Sequence, residues 1–153
     1  MRWLEKRIPP PVAAMIGVAL LIGAKTLWPS LSVRSLTQTI AGGLLIITGV
    51  AIDVAAIVAF RRARTTINPL RPEASSALVT DGPFQRSRNP MYVGLMVIVA
   101  GSAVAVGSFL GPVIVVVVAL YLTRFQIQPE ERVMRELFGE PFAQYCEQVP
   151  RWL

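Results

Sequence analysis

Two small clusters of polar and aromatic residues could do chemistry in this chain of 153 residues. In the first, Phe84 offers a stacking face, Asn89 an amide and Tyr92 a hydroxyl. The second is the carboxylate pair Glu130 and Glu131. The aromatic faces, the amide and the hydroxyl of the first cluster suit a nucleoside cofactor that is held without a phosphate-binding loop. A simpler interpretation is also open, in which Tyr92 anchors a helix at a membrane interface and the carboxylates complement a helix dipole.

The composition excludes several classes of protein. The chain is 54% hydrophobic and only 16% charged, whereas soluble domains are about a quarter charged. This composition excludes a soluble globular enzyme. It also excludes an intrinsically disordered chain, because disorder needs low hydrophobicity. The chain has no His and one Cys, so the commonest general base and zinc ligand are missing and no metal site is expected. Cys146 is interpreted as a packing residue.

Four apolar stretches predict an all-α integral membrane protein, because in lipid every backbone polar group must be bonded within the structure. The predicted spans are residues 10–27, 36–60, 91–106 and 112–125. A loop is predicted at 61–90, and short amphipathic helices at 129–150 follow the fourth span. All of these elements are expected to form a single membrane domain.

The positive charges predict the orientation of the spans. Cytoplasmic segments carry an excess of Lys and Arg. The N-terminus, the middle loop and the C-terminal segment hold most of them: Arg2, Lys6, Arg7, Arg61, Arg62, Arg64, Arg71, Arg86, Arg88, Arg124, Arg132, Arg135 and Arg151. Both termini and the loop are therefore expected on the cytoplasmic side, with the active site, in a bacterial-type inner (plasma) membrane. The net charge of +6 is explained by topology, and no nucleic-acid partner is expected.

Several motifs occur in a fixed order in the C-terminal half of the chain. They are LVTDGPF at 78–84, SRNPMYVG at 87–94, the Glu130–Glu131 pair, FGEPFAQY at 138–145 and VPR at 149–151. This ordered set resembles the isoprenylcysteine carboxyl methyltransferase family and its phospholipid methyltransferase relatives. Those are integral membrane enzymes that use S-adenosylmethionine. The resemblance covers about residues 66–153.

The resemblance implies a set of cofactor contacts, position by position. The residues that it implies for S-adenosylmethionine are Ser76, Ala77, Leu78, Val79, Phe84, Asn89, Pro90, Met91, Tyr92 and Glu130. Two positions depart from the family pattern. Asn89 stands where the family has a His, and Gln126 stands where the family has a substrate-side Arg. These departures favour another lipid or small hydrophobic acceptor, entering from the bilayer, over a prenylated protein.

Methyl transfer from a sulfonium mainly requires alignment of donor and acceptor. An ionised carboxylate acceptor needs no base, whereas an amine, thiol or hydroxyl must lose a proton. Glu131 is the predicted base for that case. Arg124, the Arg nearest to Gln126, is predicted either to position the substrate or to extend to the membrane surface.

Other functions remain open at this stage. Asp53 lies inside the second predicted span. A carboxylate is costly inside a membrane, so its presence there indicates a functional role. In a small four-helix transporter, Asp53 would be the carboxylate that couples transport to an ion. Alternatively, it would form an ion pair with a loop arginine. A non-catalytic relative of the methyltransferases is the third possibility.

Overall fold

The described part of the chain forms a bundle of five α-helices. The computed structural model describes residue 5 and residues 7–33, 35–65 and 75–153. The helices are α1 (Pro10–Leu27), α2 (Leu36–Arg62), α3 (Pro90–Val106), α4 (Gly111–Leu122) and α5 (Gln128–Gln148). No strand occurs in these residues, so the all-helical prediction is confirmed for them. The predicted loop 61–90 lies partly outside the described residues, as do Arg2, Lys6 and Arg71 of the charge pattern.

Local sequence explains where the helices begin. Pro10 and Pro90 are the first residues of α1 and α3, where the missing N–H of proline has no helical partner to lose. The start of α2 is a capping box. The Gln38 N–H donates to Ser35 Oγ at 3.1 Å, and the Ser35 N–H donates to Gln38 Oε1 at 3.0 Å.

The fourth apolar helix does not end where the sequence pattern indicated. α4 continues through a π-helical turn, Thr123–Ile127, directly into α5. The structure therefore joins the fourth span to the C-terminal helices, in place of the predicted break between 125 and 129. α5 is kinked at Gly139, whose φ of 53° and ψ of −126° are not helical. Glycine adopts this positive φ without the cost that a side chain would add.

α3 lies at the centre of the bundle and packs against α1, α2 and α4. Paired glycines let α2 and α3 approach closely, as small residues do in membrane helices. A Cβ on Gly42 would lie 2.5 Å from the carbonyl oxygen of Gly101, and one on Gly49 would lie 2.6 Å from that of Gly94. Because these contacts leave no room for side chains, they fix the register of the two helices.

The outer surface of the bundle is apolar. Large hydrophobic side chains are exposed on each of the five helices, and on α1, α2 and α4 they include Ile16, Leu20, Leu44, Ile47, Val116 and Leu120. α1, α2 and the segment Gly111–Gln148, which contains α4 and α5, are each long and apolar enough to cross a membrane, and α3 is a shorter apolar helix. A soluble monomer does not normally expose so much apolar surface, so the helices are built to face lipid.

The two ends of the bundle differ. At one end, two short connections are hydrogen-bonded to each other, from the Val33 N–H to the Gly107 carbonyl and from the Phe109 N–H to the Leu31 carbonyl, both at 2.9 Å. At the opposite end, the segment before α3 meets the chain terminus, where the Arg88 N–H donates to the Pro150 carbonyl at 3.0 Å. Most of the polar residues singled out in the sequence lie at this second end.

Candidate active site

The segment before α3 is held by the last residues of the chain. The Asn89 side-chain amide donates to the Arg151 carbonyl at 2.9 Å, and Ser87 Oγ donates to the same oxygen at 3.4 Å. Ser87 Oγ also accepts the Asn89 N–H at 3.1 Å. Asn89 thus uses its side chain to bind the C-terminal segment. Ser87 is only 2% exposed, and sequence reasoning did not single it out.

Glu131 lies between two arginines. Arg88 Nη2 is 3.1 Å from one carboxylate oxygen, and Arg151 donates from Nε at 3.0 Å and from Nη2 at 2.7 Å. The side chains of Arg88 and Glu131 are 12% and 15% exposed, so this ion pair is largely removed from water. The hydrogen bond to Glu131 also raises the pKa of the Arg151 guanidinium. In the sequence both arginines are topology signals, and no pattern there predicts these contacts.

Glu130, the other member of the carboxylate pair, faces Tyr92. The Tyr92 hydroxyl donates a hydrogen bond to Glu130 Oε1. Tyr92 is buried at the first turn of α3, and Glu130 is in the first turn of α5. The contact joins the two sequence clusters that were singled out for chemistry, although 38 residues separate them.

Aromatic residues close one side of the site. The Tyr145 hydroxyl donates to the Phe84 carbonyl at 2.7 Å in a buried hydrogen bond. The Phe60 and Phe84 rings meet edge to face, with centroids 5.1 Å apart. Phe84, which follows the turn at Gly82, is thereby fixed to both α2 and α5.

These groups surround one cavity of about 560 Å³, within the range of roughly 300–1,000 Å³ that is usual for small-molecule sites. Its wall contains ten of the twelve predicted site residues: Ala77, Leu78, Val79, Phe84, Asn89, Pro90, Met91, Tyr92, Glu130 and Glu131. Arg88, Asp53, Phe60, Phe142 and Tyr145 also line it. Most of the wall is apolar. The resemblance thus picked out residues that are distant in sequence and that the fold brings to one cavity.

Two predicted residues do not line this cavity. Ser76 donates its backbone N–H to Thr65 Oγ1 at 2.9 Å, while its neighbours Ser75 and Ala77 reach the cavity wall. Arg124 has a side chain that is 47% exposed, and its Nη1 lies 3.2 Å from Glu5 Oε1. The structure therefore places Arg124 in a surface ion pair, away from the carboxylates of the cavity.

Gln126, at the position of the family's substrate-side arginine, is fully buried. Its Nε2 donates to the Ile8 carbonyl at 2.7 Å, which ties the segment before α1 to the π-helical turn. Gln126 does not line the cavity either, so its side chain supports the fold.

Asp53 does line the cavity, from the middle of α2. Its Oδ1 is buried and has no hydrogen-bond partner in the structure. Within the described residues Asp53 forms no ion pair. The expected pairing with a loop arginine is thus not found there, and Arg71 of that loop lies outside the described part.

The fold and the cavity define a helical protein with an apolar outer surface and a partly open site at the end of its bundle. Residues 37–141 match the family model described as phospholipid methyltransferase. The chain belongs to this family, which also confirms the resemblance drawn from the motifs.

Individual relatives are named as methyltransferases of one type. The chain is 30% identical to protein-S-isoprenylcysteine O-methyltransferase B of Arabidopsis thaliana over 112 residues, which are 71% of this chain and 55% of that protein. It is 32% identical to protein-S-isoprenylcysteine O-methyltransferase A of the same plant over 111 residues, which are 71% of this chain and 55% of that protein. It is 32% identical to protein-S-isoprenylcysteine O-methyltransferase of Schizosaccharomyces pombe over 73 residues, which are 48% of this chain and 31% of that protein. The chain thus spans about half the length of the first two relatives, and no solved structure matches it.

Proposed function

We propose that this protein is a membrane methyltransferase that transfers a methyl group from S-adenosylmethionine to a lipophilic acceptor. The observation that carries the proposal is the cavity, in which motif residues from three separate parts of the sequence form one wall. Family membership supports the same reaction class. The acceptor would be an isoprenylcysteine carboxylate, a phospholipid or another small hydrophobic molecule.

The groups around the cavity fit S-adenosylmethionine. Arg88 Nε is a buried donor that has no hydrogen-bond partner among the described residues, and it suits the carboxylate of an amino acid. Glu130 suits the amino group or the sulfonium, and the Phe84 and Tyr92 rings provide faces for a cation or a base. Residues 77–79 would contact the cofactor mainly through their backbone. The cofactor supplies an electrophilic methyl group, so the chain itself needs no metal or covalent nucleophile for this reaction.

The protein would contribute alignment and exclusion of water. Tyr92 holds Glu130 by a hydrogen bond, and Tyr145 holds the backbone of Phe84. Fixing donor and acceptor in one orientation is worth several kcal/mol of a displacement barrier. The largely apolar wall would keep water away from the acceptor.

For Glu131 and Arg124 we propose roles that differ from the sequence-based predictions. Glu131 accepts hydrogen bonds from two guanidinium groups, which stabilise its ionised form and occupy its lone pairs. We therefore assign it to the positioning of Arg88 and the C-terminal segment, not to proton transfer. Arg124 would support the fold through its pair with Glu5.

The membrane arrangement is part of the proposal. α1, α2, α3 and α4 would cross the bilayer, with both termini and the cavity on the cytoplasmic side of a bacterial-type inner membrane. The soluble cofactor would then enter from the cytoplasm. The acceptor would enter from lipid past apolar lining residues such as Ile57 and Leu95.

Calorimetric titration with S-adenosylhomocysteine, in a neutral detergent, tests cofactor binding. The wild-type protein is expected to bind, and Glu130→Gln to bind about tenfold more weakly or worse, because an ionic hydrogen bond is lost. Glu136→Gln, an exposed position on the same helix, is the matched control and should bind as the wild type does. Absence of binding by well-folded wild-type protein would contradict the proposal.

A further inference from the structure

The C-terminal segment fixes the backbone on both sides of Arg88. The Arg151 carbonyl accepts hydrogen bonds from the Asn89 side-chain amide at 2.9 Å and from Ser87 Oγ at 3.4 Å. The neighbouring carbonyl, that of Pro150, accepts the Arg88 N–H at 3.0 Å. Two successive carbonyls thus bind three successive residues, so the place from which the Arg88 side chain extends depends on the end of the chain.

The side chains of Arg88 and Arg151 share the Glu131 carboxylate unequally. Arg151 donates to both of its oxygens, from Nε to Oε1 at 3.0 Å and from Nη2 to Oε2 at 2.7 Å. Arg88 makes one contact, from Nη2 to Oε1 at 3.1 Å. Arg151 therefore has the two-donor geometry that is strongest between a guanidinium and a carboxylate, and Arg88 has the weaker, single contact.

Of the two arginines, Arg88 lines the cavity and Arg151 does not. Arg88 Nε is buried and has no hydrogen-bond partner among the described residues. A buried donor without a partner is unfavourable, and Arg88 would gain a second hydrogen bond by turning Nε toward Glu131. Arg151 opposes this turn, because its own two donors already lie against both oxygens of that carboxylate.

We propose that Arg151 is a positioning residue, which occupies Glu131 and so keeps the donors of Arg88 available for the carboxylate of S-adenosylmethionine. The inference rests on the proposed methyltransferase function, in which Arg88 suits that carboxylate. Without the Arg151 side chain, Arg88 would bind both oxygens of Glu131, and its guanidinium would be lost to the cofactor. Arg151 itself contacts neither the cofactor nor the acceptor, and it acts through Glu131 and Arg88.

Two ligands that differ only in a carboxylate test this role by calorimetric titration in a neutral detergent. One is S-adenosylhomocysteine, and the other is its decarboxylated analogue, S-adenosyl-3-thiopropylamine. Arg151→Gln keeps the backbone carbonyl that binds Ser87 and Asn89 and removes only the guanidinium. It should bind S-adenosylhomocysteine about tenfold more weakly than the wild type does, because an ionic hydrogen bond is lost. Its affinity for the decarboxylated analogue should be unchanged, whereas a purely structural role would lower both affinities alike.

Three further variants separate positioning from loss of charge or of folding. Arg135→Gln removes an exposed arginine of α5 and should bind both ligands as the wild type does. In an Arg88→Gln background, the additional change Arg151→Gln should have no effect on binding of S-adenosylhomocysteine, because no guanidinium is left to position. Arg151→Lys should lie between the wild type and Arg151→Gln, since an ammonium lacks the fork of two donors. If Arg151→Gln does not fold, Arg151→Lys is compared on the two ligands in its place.

Three results would overturn the assignment of Arg151. They are wild-type affinity of Arg151→Gln for S-adenosylhomocysteine, an equal loss of affinity for both ligands, and additive losses when Arg88→Gln and Arg151→Gln are combined. Failure of the methyltransferase proposal has a different signature, because well-folded wild-type protein would then bind neither ligand.

Discussion

The charged residues of the site form three units with different tasks. Tyr92 and Glu130 link α3 to α5, and Glu131 holds Arg88 and Arg151 together. Asp53 is separate from both units within the described structure. Because each carboxylate has a different environment, their substitution should give different results.

Glu131→Gln is expected to act mainly on stability. The change removes a negative charge from between Arg88, which is largely buried, and Arg151, and hydrogen bonds to charged groups are worth about 1.5–3 kcal/mol. Thermal unfolding in detergent should show a clear fall in Tm, with no such fall for Glu147→Gln, an exposed position on α5. If Glu131→Gln kept its Tm and lost all turnover, Glu131 would be the base that the sequence indicated.

The packing of α2 against α3 fixes the distance between two walls of the cavity. α2 and α3 touch through glycines at two levels, Gly42 with Gly101 and Gly49 with Gly94. Asp53 and Tyr92 are on these two helices, so any change in the distance between the helices moves one side of the cavity relative to the other.

Two adjacent glycines offer a matched test of this packing. A Cβ on Gly42 would lie 2.5 Å from the Gly101 carbonyl oxygen, whereas one on Gly43 would meet nothing within 4 Å. Gly42→Ala should therefore cost about 1–3 kcal/mol through overpacking, and Gly43→Ala should be neutral or slightly stabilising, since alanine favours helix. The two variants would be compared by thermal unfolding. Equal Tm values would show that the close approach of α2 and α3 does not matter for stability.

The sequence predicts some elements better than others, for physical reasons. Proline at the first turn and long apolar runs mark the helices, so α1 falls on the first predicted span. The sequence does not indicate which way the Arg124 side chain points, because the π-helical turn Thr123–Ile127 holds one residue more than an α-helical turn. One residue rotates the helix by about 100°, so sequence spacing no longer indicates which side chains on either side of the turn share a face.

The contacts that complete the site join residues that are far apart in the chain. Asn89 with the Arg151 carbonyl and Glu131 with Arg151 are examples, and no local pattern encodes either pair. The resemblance placed Tyr92 and Glu130 in one site, but it gave no signal for the roles of Arg151 and Ser87. Burial of Ser87 and pairing of Arg151 become visible only when the chain terminus is placed against the start of α3.

On the scale of the whole molecule, Glu5 ties the segment before α1 to the helix that runs from α4 into α5. Burial opposes its ionisation, but the hydrogen bond from Arg124 and the charge of Arg132 outweigh this, so the pKa of Glu5 lies below its usual value of 4.5. The resulting stabilisation is complete above pH 4.5 and is lost as the pH falls through the lowered pKa. The segment that follows, at Pro9, lines the cavity.

The Glu5 contact predicts a small stability effect that depends on pH. Glu5→Gln should slightly lower Tm at pH 7, since pairs with exposed arginines are weak. The difference from the wild type should vanish in strong acid, where Glu5 itself is protonated. A difference in Tm that stayed the same from pH 7 to strong acid would show that its charge has no role.

In the proposed function, the cavity is the place where a methyl group passes to a molecule that resides in lipid. Membranes that contain the protein would be incubated with S-adenosylmethionine labelled in its methyl group, and the label would be counted in an organic-solvent extract. Label should enter the extract with the wild type and with Glu136→Gln, and should be about tenfold lower or less with Glu130→Gln at equal expression and with the cofactor below saturation. Extract from wild-type membranes that carries no label above that of membranes without the protein would contradict the account.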